Sequence, residues 1–168
     1  MEKEEKTDEE MLQEFYETAA EDIMDKRAGD IPIIDKDADL IDVLSVLNVS
    51  DHVWVVESKG SKKLVGIITE HDVLHILSPK KRIPSVGVPD KRSLPYSSFE
   101  EASHLMSRDP IKCEPNEKVG NILDKMITRR IRRMPVVENG DIIGEITLHH
   151  LIRKLYALIK YESQGNIE

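Results

Sequence analysis

The sequence predicts an α/β protein made of two copies of one strand-helix-strand-strand-helix unit. The first observation is an internal repeat: residues 64–74 match 142–152 at an offset of 78, and residues 53–57 match 134–138 at an offset of 81. The second is that apolar spacing changes from alternating to helical in the same order in both copies. The third is the length. A chain of 168 residues can bury one shared hydrophobic core, whereas two separate small domains would each be too small to bury a stable core.

The strands of each copy are joined by a turn. In the second copy Asn139-Gly140 lies between two apolar runs, which is the strongest short signal for a β-hairpin. The corresponding turn of the first copy, residues 58–63, is three residues longer, so the offset falls from 81 to 78. Gly66 and Gly144 fall inside the next strands, where glycine usually marks a bulge or a close approach.

Each copy also contains two helices. After Thr69 and Thr147 the apolar spacing becomes helical, which predicts a closing helix in each copy. The inner helices carry apolar residues at i, i+3, i+4 and i+7: Leu40, Val43, Leu44 and Leu47 in one copy, and Val119, Ile122, Leu123 and Met126 in the other. The apolar rows of the closing helices predict a homodimer face: Val73, Leu74, Ile76, Leu77, Leu151, Ile152 and Leu155.

Three further segments surround the repeats. Apolar residues at helical spacing over 8–24 predict an amphipathic N-terminal helix that packs on the module or on a partner. Four prolines favour an irregular linker between the copies. The expected organisation is an acidic N-terminal extension at 1–21, repeat one at 22–78, a linker at 79–101, repeat two at 102–162 and a tail at 163–168.

The charge is unevenly distributed. The net charge of −8 resides entirely in residues 1–22, which hold ten acids and two lysines, so the remaining 146 residues are neutral. A neutral body argues against general nucleic-acid binding, which needs a basic face. Membrane spans need roughly 20 apolar residues, which the sequence lacks. Together with the lone Cys113, interpreted as a small buried thiol, this predicts a cytoplasmic protein.

Thr69 and Asp72 form the most specific local pattern. A threonine that begins a helix and a carboxylate three residues later present a hydroxyl and an acceptor on the same side of the first turn. One interpretation is structural, with Thr69 as N-cap and Asp72 beside the positive helix end. The other interpretation is a ligand site.

The repeat resembles the CBS motif over both copies, about 120 of the 168 residues. Residues 66–72, Gly-Ile-Ile-Thr-Glu-His-Asp, fit the Gly-x-x-Thr-x-x-Asp pattern of that family. The resemblance implies that Thr69 and Asp72 hold the two ribose hydroxyls of an adenosine ligand, with Ile68 in the same site.

The second repeat departs from the family pattern because His150 stands where the aspartate is expected, which puts ribose binding by Thr147 in question. Arg132 and Arg133 resemble the basic segment before the second strand of nucleotide-binding CBS proteins, and arginine forks suit phosphate. In repeat one only His52 stands at the place of Arg133. The alternative for the arginines is a solvated helix end.

The resemblance implies a regulatory module without catalytic activity that binds AMP, ADP, ATP or S-adenosylmethionine and acts in trans on a regulated protein. No nucleophile, P-loop or dinucleotide motif suggests an enzyme. The alternatives are a ligand-free dimeric scaffold and, less favoured, a nucleic-acid-associated regulator that uses the arginines. A metal site is not expected, because the histidines at 71, 75, 149 and 150 lack a third fixed ligand.

Overall fold

The computed structural model describes residues 6–24, 31–77 and 101–164, except for the side chains of 75–77 and 162–164. It divides into two compact units, here called the first-repeat unit (32–110) and the second-repeat unit (1–31 and 111–168). The predicted mixed α/β fold is confirmed. In chain order the described elements are α1 (Asp8–Glu17), β1 (Ile33–Asp35), α2 (Leu40–Leu47), β2 (His52–Val56), β3 (Leu64–Thr69), α3 (Glu70–Leu77), α4 (Ala102–Leu105), β4 (Ser107–Arg108), α5 (Val119–Arg129), β5 (Arg133–Glu138), β6 (Asp141–Thr147) and α6 (Leu148–Gln164).

The first-repeat unit contains a four-stranded sheet in the order β1-β2-β3-β4. β1 runs parallel to β2, as a helical crossover through α2 requires, and the other pairs are antiparallel. One face of the sheet packs against α2 and α3. The core residues that they enclose are Val43, Val53, Val55, Ile68, Val73 and Ala102.

The second-repeat unit is built on the β5-β6 hairpin. The predicted turn is confirmed, because Asn139 and Gly140 have φ values of 52° and 88°, the two positive angles that a type I′ turn requires. The expected first strand is reduced to one parallel bridge between Cys113 and Val136. Prolines lack the amide hydrogen that a ladder needs, and Pro115 follows this segment closely.

Gly66 confirms the expected close approach. A Cβ atom at this position would lie 2.5 Å from Sδ of Met106, which is inside any permitted contact distance. The register of the β2-β3 ladder also shifts between Val55 and Val56, beside this glycine. The glycine therefore allows the segment that carries Met106 to lie directly on β3.

The prediction of one helix over 8–24 is wrong in its C-terminal half. α1 ends at Glu17, and Ala20 begins a single 3-10 turn. The backbone N–H of Ala20 donates to the carbonyl of Glu117 and the N–H of Val119 donates to Thr18, so tertiary hydrogen bonds replace the continuing helix. α1 packs against α5 and α6, with Phe15 in the core, so its apolar row lies on its own module.

Each unit contains the leading segment of the other repeat. In the second-repeat unit the N–H of Ala20 donates to Glu117 O at 2.8 Å. In the first-repeat unit the N–H of Ala102 donates in the same way to Ala38 O, also at 2.8 Å. The structural units therefore differ from the contiguous sequence repeats: residues 20–24 fold with repeat two, and 101–108 fold with repeat one.

Three apolar assignments need correction. Val73 and Leu151 are 7% and 2% exposed and belong to the cores of their units, so they are unavailable to a dimer face. Both residues lie on the side of their closing helix that faces the core. Leu44 is 39% exposed although its spacing suggested core. Other predictions, on the side chains of Ile76 and Leu77, on linker residues 79–100 and on tail residues 165–168, lie outside the described residues.

Candidate functional site

The junction between β3 and α3 brings the predicted ribose-binding pair together. Asp72 Oδ2 accepts hydrogen bonds from the backbone N–H of Thr69 at 2.7 Å and from its hydroxyl at 2.9 Å. Both residues are half-buried, so they remain accessible from solvent. Asp72 thus caps the Thr69 N–H as expected, while the Thr69 hydroxyl donates to the same carboxylate, and neither bond uses Asp72 Oδ1.

His52 faces this junction across the sheet, because it is the antiparallel partner of Thr69. Its side chain is buried, with Nδ1 2.8 Å from Asp51 Oδ1 and the ring edge-on to Trp54 at 5.4 Å between centroids. The imidazole is therefore held in one orientation. Ile68 is 0% exposed in the core of the first-repeat unit, so its side chain is not available to a ligand.

The junction between β6 and α6 has the same backbone arrangement with different side chains. The N–H of Thr147 donates to His150 Nδ1 at 3.2 Å, and the N–H of His150 donates to Thr147 Oγ1 at 3.3 Å. The two residues thus cap the helix reciprocally. Because Nδ1 accepts a hydrogen bond here, it carries no hydrogen, and a neutral ring has its hydrogen on Nε2.

The basic residues of repeat two lie beside this second junction. Arg133 is the antiparallel partner of Thr147, as His52 is of Thr69, and it is half-buried. The carbonyl of Arg132 accepts from the N–H of Leu148 at 2.8 Å, while its side chain is exposed. The second junction therefore has Arg132 and Arg133 where the first has Asp51 and His52.

The structure thus gathers the predicted site residues within each unit. Thr69, Asp72 and His52 lie together at one junction, and Thr147, His150 and Arg133 lie together at the other. The sequence analysis missed Asp51 as the partner of His52. The adjacent acid and histidine were the available signal, but only the buried position of the imidazole shows that it needs a fixed partner.

A separate pocket of about 420 Å³ lies at the hairpin end of the second-repeat unit, away from Thr147 at the other end of β6. Burial raises the pKa of the Cys113 thiol to about 12. The ammonium of Lys125 lies 2.6 Å from Glu117 Oε1, so these pocket charges neutralise one another. The pocket is lined by Lys112, Cys113, Glu114, Glu117, Lys125, Val137, Asn139 and Gly140.

The described part of the chain contains neither a cluster of metal-ligating side chains nor a helix that could cross a membrane. No group of three or more histidine, cysteine, aspartate or glutamate side chains in residues 6–24, 31–77 and 101–164 is arranged to hold a metal ion. Among the helices of those same ranges, none combines the length and the apolar character that a membrane crossing requires.

The chain is similar to proteins of archaeal origin. It is 27% identical to the uncharacterised protein MJ1426 of Methanocaldococcus jannaschii, with 73% of this chain and 84% of that protein covered. It is 25% identical to a solved uncharacterised conserved protein from Pyrococcus horikoshii, with a TM-score of 0.64, over 85% of this chain. The chain spans 56% of the length of that structure.

Two other solved structures share the fold and contain ligands. The structure of CBSX2 in complex with AMP matches with a TM-score of 0.66 and 18% identity, covering 84% of this chain and 98% of the other. The CBS domain pair of protein MJ0100, in complex with 5′-methylthioadenosine and S-adenosyl-L-methionine, matches with a TM-score of 0.61 and 21% identity, covering 83% and 97%.

The family model for the CBS domain matches residues 20–79 and 102–157, which is more than half of the chain. Both matched regions coincide closely with the two sequence repeats. Each contains one of the two strand-to-helix junctions described above. The chain therefore belongs to the CBS-domain family.

Proposed function

We propose that the protein is a regulatory module that binds an adenosine-containing ligand with the β3-α3 junction holding the ribose. The observation that carries this proposal is the contact of Asp72 with Thr69, which brings a carboxylate and a hydroxyl to one accessible point. A carboxylate accepts hydrogen bonds from both hydroxyls of a cis-diol, and such charge-assisted bonds are the strong ones. The free Thr69 lone pairs can accept a further bond.

The ligand class is supported by the CBS structures that contain AMP, 5′-methylthioadenosine and S-adenosylmethionine. These compounds share adenosine and differ in the group on the 5′ carbon. AMP, ADP, ATP and S-adenosylmethionine are therefore the candidates here. We propose that His52 contacts this variable part at the first junction, and that Arg132, Arg133, Thr147 and His150 are the corresponding candidate contacts in the second-repeat unit, since arginine forks match phosphate oxygens.

We further propose that the ligand acts through a second protein. CBS-domain pairs are generally regulatory, and the family model matches both repeats of this chain. A ligand can shift a conformational equilibrium only as far as it binds one state better than the other. The regulated protein would read that shift in trans.

Dimerisation is part of the proposal. The outer faces of the closing helices expose apolar side chains after Val73 and Leu151, which are buried, and Leu155, which packs against the core of the second-repeat unit, are set aside. Such a row on a helix is typical of a self-complementary interface. The exposed members are Leu74 at 55%, Ile152 at 56%, Tyr156 at 62% and Ile159 at 48%.

Calorimetric titration of the full chain with AMP, ADP, ATP and S-adenosylmethionine tests the proposal. We expect at least one compound to bind with a micromolar dissociation constant, and the affinities of the four to differ according to the group on the 5′ carbon. Absence of heat with all four, repeated at two temperatures to avoid a chance zero of enthalpy, would contradict nucleotide binding and favour the ligand-free scaffold.

A further inference from the structure

The inner helices of the two repeats differ in whether one flank is covered. In the second-repeat unit α1 lies along α5, and a Cβ atom at Gly120 would be 3.6 Å from Tyr16 Cβ. Leu123, almost one turn later, packs against the core cluster that includes Phe15. Glu17 pairs with Lys118 at the start of the helix. One flank of α5 is therefore closed by an acidic amphipathic helix.

Among residues 6–24, 31–77 and 101–164, no helix covers the corresponding flank of α2. Ile41 and Leu44 occupy the positions of Gly120 and Leu123, because α2 and α5 begin at equivalent residues 79 apart. Ile41 is 70% exposed and Leu44 is 39% exposed. Single exposed apolar residues are common. Two on one flank, whose counterpart in the same chain is covered, make this flank a candidate docking surface.

The charge around this flank is the reverse of that around its counterpart. The residue before α5 is Lys118, which pairs with Glu17 of α1. The equivalent residue before α2 is Asp39, and Asp42 follows in the first turn, with both side chains exposed. An acidic helix such as α1 would meet like charges here. A helix with a basic end would meet complementary ones.

We propose that the flank of α2 formed by Ile41 and Leu44 docks an amphipathic helix of a partner protein, with lysine or arginine where α1 carries Glu17. This is helix-in-groove recognition, with the apolar row providing contact area and the acids providing orientation. The protein regulated in trans, as proposed above, would then be one that carries such an amphipathic helix. It stands independently of nucleotide binding, because the two residues are not part of either junction.

The probes are two peptides based on residues 6–18, the part of the chain that covers α5. In both peptides Tyr16 is replaced by Ala. Tyr16 packs beside Gly120 on α5, and the equivalent position on α2 is Ile41, whose larger side chain leaves no room for a tyrosine. One peptide keeps its acids, and the other has each Asp and Glu replaced by Lys. Fluorescence anisotropy of labelled peptides with the full chain should show the lysine peptide binding at least tenfold more tightly than the acidic peptide.

The protein variants assign this binding to the surface. Ile41→Ser combined with Leu44→Ser should weaken binding of the lysine peptide at least tenfold, and Asp42→Lys should weaken it severalfold. Ile127→Ser is the matched control, since Ile127 is 74% exposed on α5 outside this flank, and it should leave binding unchanged. Both serine variants change exposed positions, and circular dichroism verifies that they fold.

Three results would overturn the proposal. The first is equal affinity for the two peptides, and the second is undiminished binding by the double serine variant. The third is a fall in molecular mass of that variant in light scattering, which would show that a second copy of the chain occupies the flank. Calorimetry with nucleotides is read separately, so failure of this proposal is distinguishable from failure of the proposed function.

Discussion

The two strand-to-helix junctions share one backbone plan and differ in chemistry. At both, a threonine ends the last strand and its N–H donates to the side chain three residues later. At β3-α3 that side chain is Asp72, which brings negative charge and two acceptor atoms. At β6-α6 it is His150, which uses its only ring acceptor in the cap. At both junctions a side chain therefore accepts from the threonine N–H, and only the first junction offers a carboxylate to a ligand.

The largest expected effect distinguishes the junctions by ligand affinity. Asp72→Ala removes the carboxylate, and each hydrogen bond to a charged group contributes about 1.5–3 kcal/mol, so loss of both ribose contacts should lower the calorimetric affinity by at least roughly 100-fold. His150→Ala is the comparison variant: it also removes a cap but no carboxylate, and a neutral hydrogen bond contributes about 0.5–1.5 kcal/mol, so affinity should fall by no more than roughly tenfold. Equal losses in the two variants would show that capping alone explains the effect.

The next effect compares two glycines. Gly66→Ala places a methyl group against Met106, and overpacking typically costs about 1–3 kcal/mol of unfolding free energy. Gly120→Ala meets Tyr16 at ordinary contact distance within a helix, so it should leave stability unchanged or raise it by up to about 1 kcal/mol. Chemical denaturation measures both. Partial recovery by Met106→Ala in the Gly66→Ala background would identify the clash, and its absence would refute the mechanism.

A gain of function sharpens the comparison further. His150→Asp gives the second junction the Thr-x-x-Asp pattern of the first, with Thr147 as its threonine. We expect calorimetry to detect a second, weaker binding event per chain, since one charge-assisted bond is worth about 1.5–3 kcal/mol. An unchanged stoichiometry together with unchanged affinity would mean that the side chain at 150 does not limit the second junction.

The smallest effect concerns Cys113, whose burial raises its thiol pKa to about 12 from an ordinary 9.0. Because the raised pKa favours the protonated form in the folded state, its contribution to stability is complete below pH 9 and is lost as the pH rises towards 12. Iodoacetamide at pH 8 should leave the folded thiol unmodified and alkylate it after unfolding, as mass spectrometry would show. Rapid modification of the folded protein would contradict this burial.

Local sequence signals predicted the elements that local chemistry controls. Asn139-Gly140 specified its turn because few other residues accept two positive φ angles. Thr69 and Asp72 specified a helix start because their side chains bond within one turn. The CBS resemblance also predicted the family that the comparison with the family model confirms.

Features that depend on contacts between residues distant in the sequence were less predictable. The end of α1 at Glu17 depends on hydrogen bonds to Glu117, which is 100 residues away. The exchange of leading segments between units follows from similar long-range bonds, and no local pattern encodes it. Helical spacing also could not distinguish which side of each closing helix faces the core, so Val73 and Leu151 were assigned to the dimer face. The predicted ligand contacts of Ile68, His52 and the arginines stay predictions.

A crystal structure of the full chain with the tightest-binding nucleotide tests whether the β3-α3 junction binds the ribose. We expect both ribose hydroxyls within hydrogen-bond distance of Asp72, with Thr69 Oγ1 beside them. A ribose bound at Thr147, or a nucleotide bound away from both junctions with the Thr69-Asp72 cap undisturbed, would contradict it.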